Sequence, residues 1–467
     1  MSWACITLPS LALDGILRRR PTDDPLVLVD GPVNARTIVS ANEAARTAGL
    51  HVGQRLSAAQ ALLSHFDTIP YDRESVERWH RFLAAVAYRY SSEVSLLPHA
   101  IVLEVSKSMG LFGPWPRLES MLRADFASLG FRHRIAAAPT PHAAHVLTTV
   151  SDGQAVLSVD TLRNALQRVP IAKSRLPANA IATLPSMGIR TLGQVLALPR
   201  DGLRRRFGAE LLASLDRLTG DLPSGLELYR PPDTFDLRIE LLHEVENQSA
   251  LIFPVRRMVD DLAAYLAGRD GGVQRFLLRL EHREDRFTDV PVGLLASERD
   301  GALLFEFARG RLEHVRLPEP VLALRLIARD LPAFVPAGRD LFDERPANAL
   351  PIEQVRERLR ARLGDRAVYR LGSTQDPRPE RAQREATHDE VPIEPHPRPT
   401  WLLPRPIPLH GGEPIILAGP ERLETGWWDD GQVCRDYYVI ETSLGQEAWA
   451  FCAPDEQTGW MIHGWFA

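Results

Sequence analysis

The sequence predicts a multidomain α+β protein that ends in a small β-rich region. Three observations predict it. The chain has 467 residues, more than the roughly 250–300 at which a single hydrophobic core stops growing. Short apolar runs alternate with stretches of helical apolar spacing, first over about 165 residues and again over 235–330, as in mixed layers of helix and sheet. The tail gathers Trp401, Trp427, Trp428, Trp449, Trp460 and Trp465 among strand-like segments and turns.

Taken in order, Trp3–Leu8 reads as a strand followed by a short helix, and 26–30 (LVLVD) as a second short strand, with Thr37–Ser40 after it. Ala41–Ala48 has helical spacing and stops at Gly49, a suitable C′ residue. Ser57–Ser64, Val76–Tyr90 and Pro116–Leu129 read as helices, and 100–105 (AIVLEV) and Arg134–Ala138 as buried strands. Residues 175–220 change to short helices. The third stretch reads as a strand at Leu237–Leu241, a helix at Ala250–Leu266, and strands at Phe276–Glu281, Leu303–Phe307 and Ala323–Ala328. Residues 351–372 read as a basic amphipathic helix. The polar, proline-rich stretch after them reads as a linker. No internal repeat is present. The boundaries that follow are 1–170 (with a subdomain at about 31–70), 171–232, 233–335, 336–346, 347–372, 373–398 and 399–467.

Hydrophobic residues are 45% and charged residues 25% of the chain, ordinary for a globular protein. No apolar run approaches the ~18–20 residues that span a bilayer, so no membrane role is expected. Arg18–Arg20 follow the first apolar stretch instead of preceding it, unlike a secretory signal. Cys5, Cys434 and Cys452 have neither a disulfide framework nor metal-ligand spacing, which suits the reducing cytosol and implies no metal or cofactor. The formal net charge of −5 is unevenly spread. Residues 171–220 and 354–370 are locally basic, and the region after Pro414 is acidic and aromatic. That distribution is compatible with a DNA-binding body and a protein-binding tail.

The most informative local motif is LPSMGIRTLGQVLALPRDGLRRRFG, 184–208. Two helices joined by a glycine turn let backbone N–H groups approach a phosphate. Here Gly188 allows the approach, Ile189 packs the hairpin, and Arg190, Arg204, Arg205 and Arg206 supply phosphate contacts that position DNA without reading its sequence. The alternative is an ordinary helical pair with a solvated basic face.

The order of an α/β unit, this helix-hairpin-helix and a second α+β unit resembles the Y-family DNA polymerases, with palm and fingers, thumb, and little finger. The resemblance covers residues 1 to about 332 and rests on SANEAARTAGLHVGQRLSAAQAL (40–62), VLEVSKSMGLFG (102–113) and AAAPTPHAAHVL (136–147). Polymerisation requires two divalent ions held by carboxylates. The family's metal-binding positions fall at Thr7, His99 and Ala100, none of which is acidic. The resemblance also places Glu43 where the fingers carry a phosphate-binding Tyr, keeps its neighbouring Arg as Arg46, and puts Pro141 and His145 at the phosphate-binding lysines. Leu11 or Ala12 stands at the aromatic that excludes the ribose hydroxyl. Asp14, Glu93 and Glu104 are the acids nearest in sequence.

A Y-family body without its metal site is similar to the ImuB family of the bacterial mutagenic repair machinery. RPTWLLPRPIPL (398–409), LAGPERLETGWWDDGQVCRDYYV (417–439) and GWMIHGWFA (459–467) look like that family's tail. Between body and tail, Gly338-Arg339-Asp340-Leu341-Phe342 resembles the pentapeptide with which bacterial polymerases plug the groove of the DNA polymerase III β sliding clamp. Gly338 stands where Gln is usual. The alternative is a turn whose Leu-Phe packs on its own domain. Trp427, Trp428, Tyr437 and Tyr438 are partner-binding candidates, because aromatic residues dominate interface hot spots. The same residues also suit the core of a small β module.

The resemblance implies a non-catalytic adaptor in translesion synthesis under the SOS response, cytoplasmic and associated with the nucleoid. It would bind primer-template DNA, the clamp, the accessory protein ImuA and the error-prone DnaE-type polymerase ImuC, with RecA as a further partner. The other readings are an active translesion polymerase with displaced acids, a helix-hairpin-helix repair protein, and a protein-binding scaffold that never touches DNA.

Overall fold

The computed structural model describes residues 1–334, 352, 355–356, 359–360, 367–374, 376–386, 398–429 and 431–466. It divides into two compact units, Met1–Ala361 and Arg362–Ala467.

The first part of unit 1 runs β1 (Trp3–Thr7), α1 (Leu11–Leu17), β2 (Leu26–Asp30), β3 (Thr37–Ala41), α2 (Glu43–Thr47), α3 (Leu56–Leu62), β4 (Asp67–Pro70) and α4 (Arg73–Ala87). It continues with β5 (Val94–Leu97), β6 (Ala100–Glu104), α5 (Met109–Phe112), α6 (Trp115–Ser128), β7 (Arg134–Ala138) and α7 (Pro141–Val150). The main sheet has the order β5-β6-β1-β7, and β3-β2-β4 form a separate small sheet. Both faces of β1 are covered, which is why its sequence is almost continuously apolar. Ala4 and Ile6 join the core on the α4 and α6 side, whereas Cys5 joins the core on the α7 side.

Five short helices follow: α8 (Val159–Gln167), α9 (Ala178–Thr183), α10 (Leu192–Leu196), α11 (Arg200–Phe207) and α12 (Ala209–Thr219). Their buried leucines, among them Leu184, Leu203 and Leu211, share one core with α7. The third part is β8 (Phe235–Val245), α13 (Gln248–Gly268), β9 (Val273–Glu281), β10 (Phe287–Glu298), α14 (Gly301–Leu312) and β11 (Val321–Ala328). Its sheet has the order β10-β9-β11-β8. Leu303–Phe307, expected as a strand, lies inside α14: Leu303, Leu304, Phe307 and Ala308 are buried at helical spacing behind the N-cap Asp300. The third strand of this sheet is instead β10, which the expected series omitted.

The first and third parts share a hydrophobic core. Trp79, Phe82, Leu83 and Val86 of α4 pack in the same cluster as Val255, Met258 and Leu262 of α13. The backbones come close, since a Cβ added at Gly268 would lie 2.0 Å from the carbonyl oxygen of Ala85. A buried ion pair crosses the junction, from Arg18 Nη2 to Asp261 Oδ1 at 2.5 Å. Burial raises the pKa of Asp261 even though Arg18 opposes the shift.

Unit 2 contains the ribbon β12 (Arg370–Ser373) and β13 (Gln383–Ala386), and β14 (Trp401–Pro408), β15 (Ile415–Thr425), β16 (Val433–Glu441), β17 (Glu447–Cys452) and β18 (Met461–Trp465) in a sheet ordered β14-β18-β17-β16-β15. The end of the expected basic helix, from Arg370, is therefore a strand. The expected linker is structured over its described first part. Arg378 is buried and bonds Asp376 at 2.6 Å and Asp429 at 2.8 Å, and Glu380 bonds Arg435 of β16 at 2.6 Å. Among the described residues no helix is long and apolar enough to cross a membrane.

Candidate catalytic centre and nucleic-acid interface

The three positions singled out for metal-dependent chemistry converge in space. Thr7 at the end of β1 is the register partner of Ala100 at the start of β6. His99 occupies the turn before β6 at a left-handed φ of 57°, and its carbonyl accepts the Leu8 N–H at 2.9 Å.

The hydroxyls and the thiol here bond one another, and none of them is anionic. The Thr148 hydroxyl donates to the His145 carbonyl at 2.7 Å. A hydroxyl has one proton, so Thr7, 2.6 Å from Thr148, is the donor of that pair. The Cys5 thiol, 3.9 Å from Thr7 Oγ1, completes the chain as donor. Burial pushes the Cys5 thiol up to about 12, which keeps it protonated. Burial likewise pushes His145 down to about 3, with Arg175, His142 and His99 acting in the same direction. At neutral pH its imidazole is uncharged, and its Nε2 is buried without a partner. It carries no positive charge with which to neutralise a phosphate.

The acids nearest in sequence are engaged elsewhere. Asp14 binds Arg132 at 2.7 Å, and Glu93 binds Lys107 at 2.9 Å. Glu104 pairs with Trp3 at the opposite end of the β1–β6 ladder, roughly 14 Å from Ala100 at ~3.4 Å per residue. Burial works against the Glu104 carboxylate, but hydrogen bonds from Ser106 and from the Ser2 and Lys107 amides hold it below the usual range. Among the described residues no group of three or more His, Cys, Asp or Glu is arranged to hold a metal ion. Glu43 and Arg46 are both exposed on α2.

In the helix-hairpin-helix, Gly188 adopts φ 78°, the left-handed turn conformation that favours glycine. The expectation that this turn offers free amides to a phosphate needs correction. The Gly188 N–H bonds Pro185 O at 3.0 Å and the Ile189 N–H bonds Leu184 O at 3.1 Å. The Arg190 N–H bonds Gln194 Oε1 at 2.7 Å, within a Thr191–Gln194 capping box. Ile189 is half-buried against the neighbouring core, and Arg190 is exposed. The available donors are therefore guanidinium groups. Arg204, Arg205 and Arg206 are exposed on the last turn of α11, which the buried Leu203 anchors. Three consecutive residues spread over about 200° of a helix with 3.6 residues per turn, so they do not all face one strand.

In unit 2 the four aromatic candidates separate. Trp427 and Trp428 are 76% and 58% exposed and pack edge to face at 5.6 Å. Tyr437 and Tyr438 are buried in β16, which corrects their expected role at a partner surface. Tyr437 stacks on Trp449 at 4.0 Å and hydrogen-bonds His463 Nδ1 at 2.7 Å. Tyr438 lies on the opposite face with Ile440, Ala448 and Ile462. The Arg378–Asp429 pair, which sequence reading missed, fixes the turn that presents the two tryptophans. Asp340, Leu341 and Phe342 lie outside the described residues.

Residues 13–149 match the family model described as the impB/mucB/samB family. Two curated relatives, protein ImuB of Caulobacter vibrioides strains NA1000 / CB15N and ATCC 19089, are each 26% identical over 463 residues, covering 90% of this chain and 100% of theirs. Among solved structures, DinB from Sulfolobus solfataricus is 13% identical with a TM-score of 0.42, covering 72% of this chain and 100% of that one. A Dbh ternary complex is 12% identical with the same TM-score and the same coverage of both chains. Over 90% of its length the chain is similar to protein ImuB of Caulobacter vibrioides, and the segment similar to the impB/mucB/samB family, 13–149, includes His99 and Ala100 and begins just after Thr7.

Proposed function

We propose that the chain is a polymerase-shaped, non-catalytic adaptor in error-prone translesion synthesis during the SOS response. The observation that carries this reading is the Cys5–Thr7–Thr148–His145 chain beside Ala100. Where two-metal phosphoryl transfer calls for anionic oxygens, this ImuB-like protein holds a thiol, two hydroxyls and a backbone carbonyl joined by hydrogen bonds. In this reading Arg190 and Arg204–Arg206 grip the backbone of primer-template DNA. Asp340, Leu341 and Phe342 tether the chain to the DNA polymerase III β sliding clamp, and Trp427 and Trp428 dock a partner. The partners are ImuA and the DnaE-type polymerase ImuC, with RecA as a further candidate, and the site of action is the nucleoid. Several weak contacts joined in one chain raise the effective local concentration of each.

The test is binding of the full chain to a labelled primer-template in chelator, then with Mg²⁺ and the complementary nucleotide. An adaptor binds equally in both. Tightening that requires both metal and the correct nucleotide would mean a working catalytic centre.

A further inference from the structure

The five-stranded sheet of unit 2 ends differently at its two edges, β14 and β15. An edge strand offers a row of backbone N–H and C=O groups to any further strand. β14 closes its edge with Pro404, Pro406 and Pro408 at alternate positions, and proline lacks the N–H that a ladder needs. β15 has its one proline at 420, so Ile415–Ala418 keep their amides. Among the described residues, β16 is their one strand partner. Their side chains are not folded away from water either. Ile415, Ile416 and Leu417 are 62%, 40% and 46% exposed. Successive side chains point to opposite faces of a strand, so this end of β15 is apolar and uncovered on both faces as well as along its edge.

The charge around this edge has one sign. Residues 398–467 contain four arginines, no lysine and ten acids, a formal charge of −6 (4 − 10). The arginines lie elsewhere. Arg398 holds Glu421 at 2.6 Å, Arg422 holds Asp436 at 2.8 Å, and Arg435 reaches Glu380 at 2.6 Å. Arg405 is on β14, at the far edge. Three acids remain at the Ile415 end. Ile415 is the register partner of Glu441, and Glu441 that of Glu447. Glu413 stands two residues before Ile415. Among the described residues none of the three is in an ion pair. Like charges directly opposite across a ladder destabilise it, so the free sheet holds a repulsion that a cation relieves.

We propose that the sheet is extended at β15 by a cationic strand of a partner protein. An extended apolar segment with arginine or lysine at its margin pairs with the Ile415–Ala418 edge. Its side chains cover Ile415, Ile416 and Leu417, and its charges meet Glu413, Glu441 and Glu447. In such strand addition the main-chain bonds give affinity and the alternate side chains give specificity. The inference rests on the proposed adaptor role. It names the chemistry of the partner segment and adds an anchor besides Trp427 and Trp428, which follow the other end of the same strand. Nucleic acid and a second copy of this domain carry the same sign of charge as this edge and are repelled by it.

The test measures fluorescence anisotropy of labelled peptides with the full chain. One peptide alternates arginine with valine, a second alternates glutamate with valine, and a third is the first with alternate backbone amides methylated. The arginine–valine peptide is expected to bind, more weakly as salt rises, and the other two are not. The surface variant Ile415→Ser with Leu417→Ser should bind it about tenfold more weakly. Glu441→Lys with Glu447→Lys should lose the arginine–valine peptide and gain the glutamate–valine one, an exchange that structural damage would not produce. Equal binding of the methylated peptide would overturn strand pairing, and equal binding of the glutamate–valine peptide would overturn the charge assignment. The same variants are then tested against the ImuA- and ImuC-type proteins. Loss of their binding only in Trp427→Ala with Trp428→Ala would overturn the edge and leave the adaptor role standing. If the unaltered chain binds neither protein yet binds the arginine–valine peptide, the adaptor role falls and the edge stands. Self-association that the Ile415–Leu417 variant abolishes, without peptide binding, would overturn the partner and assign the edge to a second copy.

Discussion

Thr7→Asp probes the neutral centre directly. Thr7 is 8% exposed, and its hydroxyl links Cys5 to Thr148. Aspartate puts an acceptor-only group at that link. The single Thr148 proton then faces two acceptors, the new carboxylate and the His145 carbonyl, and one of them goes without. The Cys5 thiol, a weak donor, remains. Burial with so few donors raises a carboxyl pKa by about 2–3 units, and at ~1.36 kcal/mol per unit the ionised form costs about 3–4 kcal/mol at neutral pH. Thr7→Val removes only the hydrogen bond, for about 1 kcal/mol. The difference is the cost of the charge. Because the folded pKa of the new Asp lies above its unfolded value of about 3.9, the penalty is absent below that pH and grows as pH rises towards the folded pKa. Urea titrations should place the Thr7→Asp midpoint about 1–2 M below the unaltered protein at pH 7, with the gap to Thr7→Val closing near pH 4. A Thr7→Asp protein that is undiminished at pH 7, or stabilised by Mg²⁺, would refute the reasoning, because the centre would then be able to accommodate an anion.

Unit 2 and the Gly338–Phe342 peptide give three more expectations. Tyr437→Ala should cost about 3–5 kcal/mol, as for other buried aromatics, and Trp427→Ala with Trp428→Ala less than about 1 kcal/mol. Only the tryptophan pair should weaken binding of the ImuA- or ImuC-type partner without lowering the melting temperature. Hydrogen bonds from Arg378, then from Gly431 N–H, hold Asp429 well below the usual carboxylate value of 3.8. Its folded pKa is depressed, so its contribution is present above pH 3.8 and lost as pH falls through the folded value. The fluorescence of Trp427 and Trp428 should therefore stay constant down to about pH 4 and change only in stronger acid, whereas Asp429→Asn should show the acid-type spectrum at neutral pH. Leu341→Ala with Phe342→Ala should abolish binding to the sliding clamp, measured by surface plasmon resonance, and unchanged affinity would refute the clamp assignment.

Much of this structure was legible because local signals agreed with the packing. The apolar run Trp3–Leu8 reads as a strand, and β1 forms there with both faces covered. The non-acidic residues at Thr7, His99 and Ala100 are equally plain in the sequence, and the β1–β6 register brings Thr7 beside Ala100. Leu303–Phe307 was misread because four apolar and aromatic residues clustered within five positions mimic a strand. The spacing of Leu303, Leu304, Phe307 and Ala308 behind Asp300 contained the helical signal.

Two other misreadings have one cause. The 373–398 stretch is polar and rich in proline, so its composition suggests a linker, and the aromatic character of Tyr437 and Tyr438 suits a partner surface as well as a core. Yet Glu380 reaches Arg435 and lies 3.8 Å from His463, and Arg398 covers the Trp449 ring at 4.6 Å. Those residues close over the face of the sheet that holds Tyr437. Ion pairs between residues about fifty positions apart leave no local trace.

The central proposal is that this chain performs no polymerisation, and primer extension tests it most directly. The purified chain is given primer-template DNA, all four deoxynucleotides, and Mg²⁺ or Mn²⁺. The account predicts an unextended primer that the chain nevertheless binds. Extension that disappears with chelator, and with no other polymerase present, would contradict it.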